Sequence, residues 1–361
     1  MQEIKETKAQ EQDLGSAALN LISKYMEVKE LERLSNQAIK YRVVKVYGDL
    51  VPTFKQLYRD LTRVGLAPAV RREKDGTLTL IVTKYSMGSN LATVIGLAVV
   101  TLITVYVSGL EFVSSPGGNL VTPLLYLVGL LGPLLIHEGG HWIFMRRFNV
   151  PRSLPYLIPA PPLQLGFLGT LGAVINMKWI PATSDELALI GVAGPLAGFV
   201  AAIPVAIIGL HMSVLVPAAA VPPSSTLPAV PVIMYLLLAS LHTPSGYVVE
   251  MSPLSFAAYI VFFVTFLNLM PVGQLDGGHV IRAALGERGH LIVSIIFVIL
   301  LFIAGAYIPT LGLFGIIALF LLLITRWRHP GPAVETSKIS TAGVVAIIIY
   351  GILLALTVPM P

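Results

Sequence analysis

The chain changes character near residue 88. Before it, polar and apolar positions interleave at short period; after it, long apolar runs dominate. In the first stretch, weak amphipathic spacing predicts a helix over 13–38. Tyr41 to Tyr47 (YRVVKVY) has the β-branched and aromatic content of a strand. A second helix is predicted from Pro52 to Val64, since Pro52 suits a first turn and Phe54, Leu57, Tyr58 and Leu61 share one face. Strands over 68–73 and 77–84 flank Lys74-Asp75-Gly76, whose Asp-Gly pair signals a hairpin. The order β-α-β-β describes a small α/β head.

Apolar runs at about 89–110, 120–147, 186–210, 254–272, 291–308, 310–326 and 340–359 each approach the roughly 20 residues needed to cross a bilayer core. Residues 231–241 (PVIMYLLLASL) are too short to cross, and either lie at the interface or re-enter. The expected fold is mainly α: a polytopic transmembrane helical bundle of about seven spans, with a small N-terminal cytoplasmic α/β domain. The head covers 1–88 and the transmembrane domain 89–361. Within the latter, 211–253 is expected to form an extracytoplasmic loop. Residues 151–180, rich in Pro and then in Gly and β-formers, are expected to form a membrane-dipping hairpin, strand-like over 165–177.

Charge sharpens this division. Of the Lys, Arg, Asp and Glu residues, 26 lie in the first 90 positions and only 17 in the remainder. Residues 111–119, 211–253 and the turn around 309 contain no Lys or Arg. The alternate segments and adjoining span ends hold Arg146, Arg147, Arg152, Lys178, Arg282, Arg288, Arg326, Arg328 and Lys338. That alternation is what the positive-inside rule predicts for a cytoplasmic head and an odd number of spans. The leading segment MQEIKETKAQEQD is acidic and lacks an apolar core, so neither a secretory signal nor a transit peptide is expected there. The net charge of +5 comes from the head and the loops flanking spans, not from a basic patch. The expected partner is therefore the lipid bilayer and not nucleic acid. Without cysteine, any metal must be held by His, Asp or Glu.

Ionisable groups at membrane depth are costly and functional by default. Two stand out: Glu138 in the second span and Asp276 just past the fourth. Glu138 belongs to His137-Glu138-Gly139-Gly140-His141, an H-E-x-x-H sequence. Residues four apart stand one helical turn apart on the same face, so two imidazoles can close on one zinc ion. Glu138, rotated about a quarter turn away, is placed to take a proton from a metal-activated water. By the charge topology the histidines lie about 9–15 Å from the cytoplasmic end of their span, so the site should open toward the cytoplasm. Asp276 follows Asn268-Leu-Met-Pro271-Val-Gly-Gln-Leu275, where Pro and Gly should break the helix. Such a break is tolerated only against protein or a wet cavity. There Asp276 can supply a third ligand, leaving a fourth position for water.

The paired motifs, His137-Glu-Gly-Gly-His141 and Asn268…Pro271…Leu275-Asp276-Gly277-Gly278, resemble those of the site-2 protease family of intramembrane zinc metalloproteases. Gly194-Pro195-Leu-Ala-Gly198 and Gly166-Phe-Leu-Gly-Thr-Leu-Gly-Ala-Val-Ile175 look closest to its plastid and cyanobacterial branch and its archaeal relatives. The resemblance covers roughly residues 120–285. It implies one Zn2+ per chain on His137, His141 and Asp276, Glu138 as general base, and help with the developing oxyanion from Asn268. For Asn268 a second reading stands open, a polar cap on the broken helix. His279 either donates to the reaction intermediate or sits at the cytoplasmic interface. Gly198 departs from the many relatives that carry Asn there. The implied substrates are membrane-spanning proteins, cut in a prokaryotic cell membrane; a free edge of the 165–177 hairpin suits pairing with an unwound substrate. The head is a candidate for binding a regulator or a substrate.

Rival readings are a prenyl-peptide type of zinc protease using Glu287 as third ligand, a metal transporter, and a catalytically silent substrate-binding relative. The first lacks a matching motif around Glu287. Transport would call for ionisable groups in several spans, and a silent relative would be expected to have lost Glu138.

Overall fold

The computed structural model describes the chain except residues 1–15, 17, 36, 87, 116, 117, 222–228 and 242. The leading acidic segment thus lies outside the described residues. The head begins with a helical turn over 18–22, then β1 (Met26–Ser35), β2 (Ala38–Val46), α1 (Leu50–Arg63), β3 (Leu66–Arg72) and β4 (Leu78–Lys84). These strands form one antiparallel sheet of order β1-β2-β4-β3. Phe54, Leu57, Tyr58 and Leu61 are the buried face of α1, as the spacing predicts. The helix expected over 13–38 is overturned beyond residue 25, because MEVKELERLS is the edge strand β1. Its Glu, Lys, Leu and Arg residues favour helix in isolation, and pairing along β2 overrides that preference. Its charged, mostly exposed face and bulged register suit a sheet edge.

The head is not separately packed. Its core, with Tyr41, Phe54 and Leu80, also takes in Ala182, Ala333 and Val334 from distant loops. The Tyr58 hydroxyl donates to the Ile180 carbonyl, and the Trp179 indole donates to that of Pro68. Lys55 reaches the buried carboxylate of Glu186 at 2.8 Å. The outer edge of β3 is capped by a parallel bridge between Val70 and Val334.

Beyond the head the protein is mainly helical. Among the described residues, four helices are long and apolar enough to cross a membrane: Leu91–Ser114, Thr122–Arg147, Ser184–His211 and Asp276–Gly305. Three shorter apolar helices are Pro253–Leu269, Pro309–Ile324 and Thr341–Thr357. In chain order, α2 is Leu91–Gly109, α3 Thr122–Arg147, α4 Ser184–His211, α5 Val232–Ala239, α6 Pro253–Leu269, α7 Asp276–Gly305, α8 Pro309–Ile324 and α9 Thr341–Thr357. The chain is a multi-pass membrane protein. Tyr126, Leu130, Ala202, Ala257 and Phe262 are buried where α3, α4 and α6 meet. By contrast Ile292, Ile296, Ile299, Leu300 and Ile303 of α7 stay exposed, the face a lipid solvent would cover. The short run at 231–241 is α5, preceded by two residues that pair with the C-terminal Pro359–Met360.

Two departures from regular helix position the site. Between α6 and α7 residues 270–275 are non-helical, with Gly273 at φ 56°. Here Ser294 donates to the Pro271 carbonyl at 2.6 Å, and His290 Nε2 stands 3.1 Å from that of Gly273. Helix α7 itself kinks at Gly286 (φ 72°, ψ −171°). The hairpin between α3 and α4 pairs Tyr156–Pro159 with Thr170–Val174. Its first strand is thus drawn from the proline-bearing part of 151–180, upstream of the strand-like stretch expected at 165–177.

Candidate metal centre

Helix α3 carries His137, Glu138 and His141, all buried, and the first turn of α7 brings Asp276 to them. His137 Nε2 lies 3.3 Å from Asp276 Oδ2, and His141 Nε2 lies 3.3 Å from Asp276 Oδ1. The two imidazole Nε2 atoms are 3.2 Å apart. Three side chains from two stretches over 130 residues apart thus bring one donor atom each within 4.8 Å of one another.

That triangle can be tested against zinc. A tetrahedron with bonds of about 2.0–2.1 Å to its centre has edges of about 3.3–3.4 Å. The imidazole separation and the two His–Asp distances, each to its own oxygen of Asp276, are close to such edges, so the two imidazoles and the carboxylate can share one ion of this size. Tautomers agree as well. His141 Nδ1 is 2.9 Å from the Ile190 carbonyl and must carry its proton there, which leaves Nε2 as a lone-pair donor. In the neutral ring that lone pair faces Asp276 Oδ1 and His137 Nε2, an arrangement a cation between them would satisfy. The donor set fits zinc.

Close approach of α4 makes the triangle possible. A Cβ at Gly194 would fall inside the His141 imidazole, and one at Gly140 would strike the Ala193 carbonyl. At Gly198 an added Cβ would stand 2.8 Å from His137 Cβ. The Gly198 departure is therefore matched by direct packing of the α4 backbone on His137.

The triangle opens onto a cavity of about 220 Å³ lined by Glu138, Asn268, Gln274 and His279, and by Ala173, Val174 and Ile175 of the hairpin. The Glu138 carboxylate lies beside the Ile175 backbone. Asn268, one residue before the end of α6, places its amide nitrogen 3.5 Å from His137 Nε2, at the limit of hydrogen-bond reach. All five predicted site residues therefore border one cavity. Glu287 does not: it lines a separate cavity with Arg72, Arg282 and Glu335 at the seam between head and body. His279, for which a donor role and an interfacial position stand open, is buried and within hydrogen-bond reach of His329. Sequence reasoning missed Ile190, His290, Ser294 and His329. None carries a local motif, and the Ile190 contact is made by a backbone carbonyl.

An apolar multi-helix body thus carries a candidate metal centre of two buried histidines and the partly buried Asp276, with the buried Glu138 beside it. The chain belongs to Peptidase family M50, whose profile matches residues 125–308. It is 33% identical over 179 residues to the probable zinc metalloprotease EGY1, chloroplastic, of Arabidopsis thaliana, covering 46% of this chain and 30% of that protein. Against the probable zinc metalloprotease EGY2, chloroplastic, of Oryza sativa subsp. indica it is 26% identical over 244 residues, 63% of this chain and 41% of the relative. The EGY2 protein of Arabidopsis thaliana is 24% identical over 320 residues, 82% of this chain and 52% of the relative. The chain thus spans about a third to a half of the length of these relatives. No solved structure matches it.

Proposed function

We propose that this protein is an intramembrane zinc metallopeptidase that hydrolyses peptide bonds of membrane-spanning proteins. The observation that carries the reading is the His137–His141–Asp276 triangle, sized for zinc and set beside Glu138. In this reading His137, His141 and Asp276 hold the ion. When bound there, zinc would supply Lewis-acid polarisation and lower the pKa of water toward about 7. Glu138 then takes the proton of the attacking water and delivers it to the departing amine. The Asn268 amide donates to the oxygen that gains charge as the carbonyl turns tetrahedral.

A peptide bond within a helix is shielded by its own hydrogen bonds, so the substrate must be locally extended. Among the described residues the strand Thr170–Val174 pairs with Tyr156–Pro159 alone, and the residues that continue it line the cavity. Strand addition along that edge would present an unwound segment to Glu138. We further propose seven spans in a bundle, residues 1–88 as a cytoplasmic head, 89–361 as the protease body, and 211–253 outside. The alternating Lys and Arg content of the loops supports that orientation. The likeness of the motifs to cyanobacterial and archaeal branches supports a prokaryotic cell membrane as host. Head contacts with loops near the site favour regulation or substrate recruitment as its role.

The test is cleavage of a single-span peptide by full-length protein in vesicles. Glu138→Gln should retain zinc and lose at least about 100-fold in kcat. Equal cleavage by both proteins would contradict the proposal.

A further inference from the structure

His279 lies one helical turn beyond Asp276 and lines the same cavity as Glu138 and Asn268. Its Nδ1 is 2.7 Å from His329 Nε2, with the two rings edge-on at 88°. A third contact fixes the direction of this hydrogen bond. The Gly331 amide donates to His329 Nδ1 at 3.0 Å, so that nitrogen is an acceptor and neutral His329 carries its proton on Nε2. His329 therefore donates to His279 Nδ1, and His279 is left with its own proton on Nε2. The loop holding His329 is itself tied down, for Arg282 Nε donates to the His329 carbonyl at 3.4 Å and the His290 ring packs edge-on against His329.

We propose that His329 is a positioning residue that locks His279 as an Nε2–H donor to the backbone of a peptide substrate in the metal-site cavity. The inference rests on the protease reading and adds to it a substrate-binding group and the residue that orients it. A histidine that exchanges tautomers would offer the substrate a donor only part of the time. With Nδ1 occupied by His329, its polarity is set before substrate arrives.

The experiment compares full-length wild type, His329→Leu, His329→Gln and Glu138→Gln in vesicles with a single-span peptide substrate. It reads kcat, KM, zinc per chain, and histidine tautomers by ring-nitrogen NMR of the wild type. His329→Leu should keep its zinc and lose about 10–100-fold in kcat/KM. His329→Gln, whose amide can still donate to His279 Nδ1, should recover most of that loss, and NMR should place the His279 proton on Nε2. The proposal is overturned if His329→Leu cleaves like wild type, if it loses zinc, if Gln fails to rescue it, or if the His279 proton sits on Nδ1. Should His329→Leu fail to fold, the wild-type tautomer decides. Cleavage by Glu138→Gln at the wild-type rate would sink the protease reading instead. An inert Glu138→Gln beside a fully active His329→Leu would sink this inference alone.

Discussion

Gly194 shows how a single missing side chain sets the chemistry. The His141 ring occupies the volume a Cβ there would take, while Ile190, one turn earlier on α4, accepts the proton of its Nδ1. Helix α4 therefore both makes room for the ring and fixes its tautomer. Gly194→Val should tilt His141 off Asp276 and weaken zinc binding by about 10–100-fold; a chelator competition titration on purified protein measures it. Unchanged affinity would mean that His141 does not hold the ion. The Gly194-Pro195-Leu-Ala-Gly198 motif is visible in the sequence, but the ring it makes room for is not, because a glycine in an apolar span does not name its neighbour. His137, Glu138 and His141 were legible because helical spacing alone puts them together. Asp276 was legible because the proline and glycines around it announce a break at membrane depth.

Between α6 and α7 the chain leaves the helix for six residues, and its freed carbonyls find donors on the far side of the kink. Ser294 serves Pro271, and His290 stands at Gly273. Without them the turn that presents Asp276 would carry buried, unpaired backbone groups. Ser294→Ala should destabilise the protein by about 1–3 kcal/mol, read as a lower thermal midpoint in detergent. Equal midpoints would show that Pro271 needs no such donor. The four helices long enough to cross could be foreseen because a bilayer core calls for apolar runs of about 20 residues. Met26–Ser35 could not, since its composition favours helix and only the neighbouring strand decides otherwise. Tyr156–Pro159 was hidden in the same way by its prolines. Ser294, His290 and His329 act across long sequence separations, where no periodicity reaches.

At the scale of the whole molecule, the head meets two loops of the body, residues 179–186 and 330–335, and the second leads directly to the site. The Arg71 guanidinium, on β3, donates to the carbonyls of Ala333 at 2.8 Å and Pro332 at 3.1 Å. Four residues before Ala333, His329 meets His279 at the cavity. Arg71 is half-buried and donates also to the Pro330 carbonyl of the same loop and to that of Val70, so Arg71→Ala should loosen the loop without unfolding the body. Hydrogen exchange at residues 329–337 should accelerate about tenfold or more, as expected for a lost charge-assisted pair worth about 1.5–3 kcal/mol. Exchange at the wild-type rate would mean that the loop holds itself. All of this chemistry presumes that two distant stretches of chain clasp one ion, and zinc-edge X-ray absorption on purified full-length protein tests that most directly. The account predicts one zinc per chain with two imidazole nitrogens and carboxylate or water oxygen at about 2.0–2.2 Å, the ordered site vanishing in Asp276→Ala. A zinc environment without imidazole, or one left intact by Asp276→Ala, would contradict it.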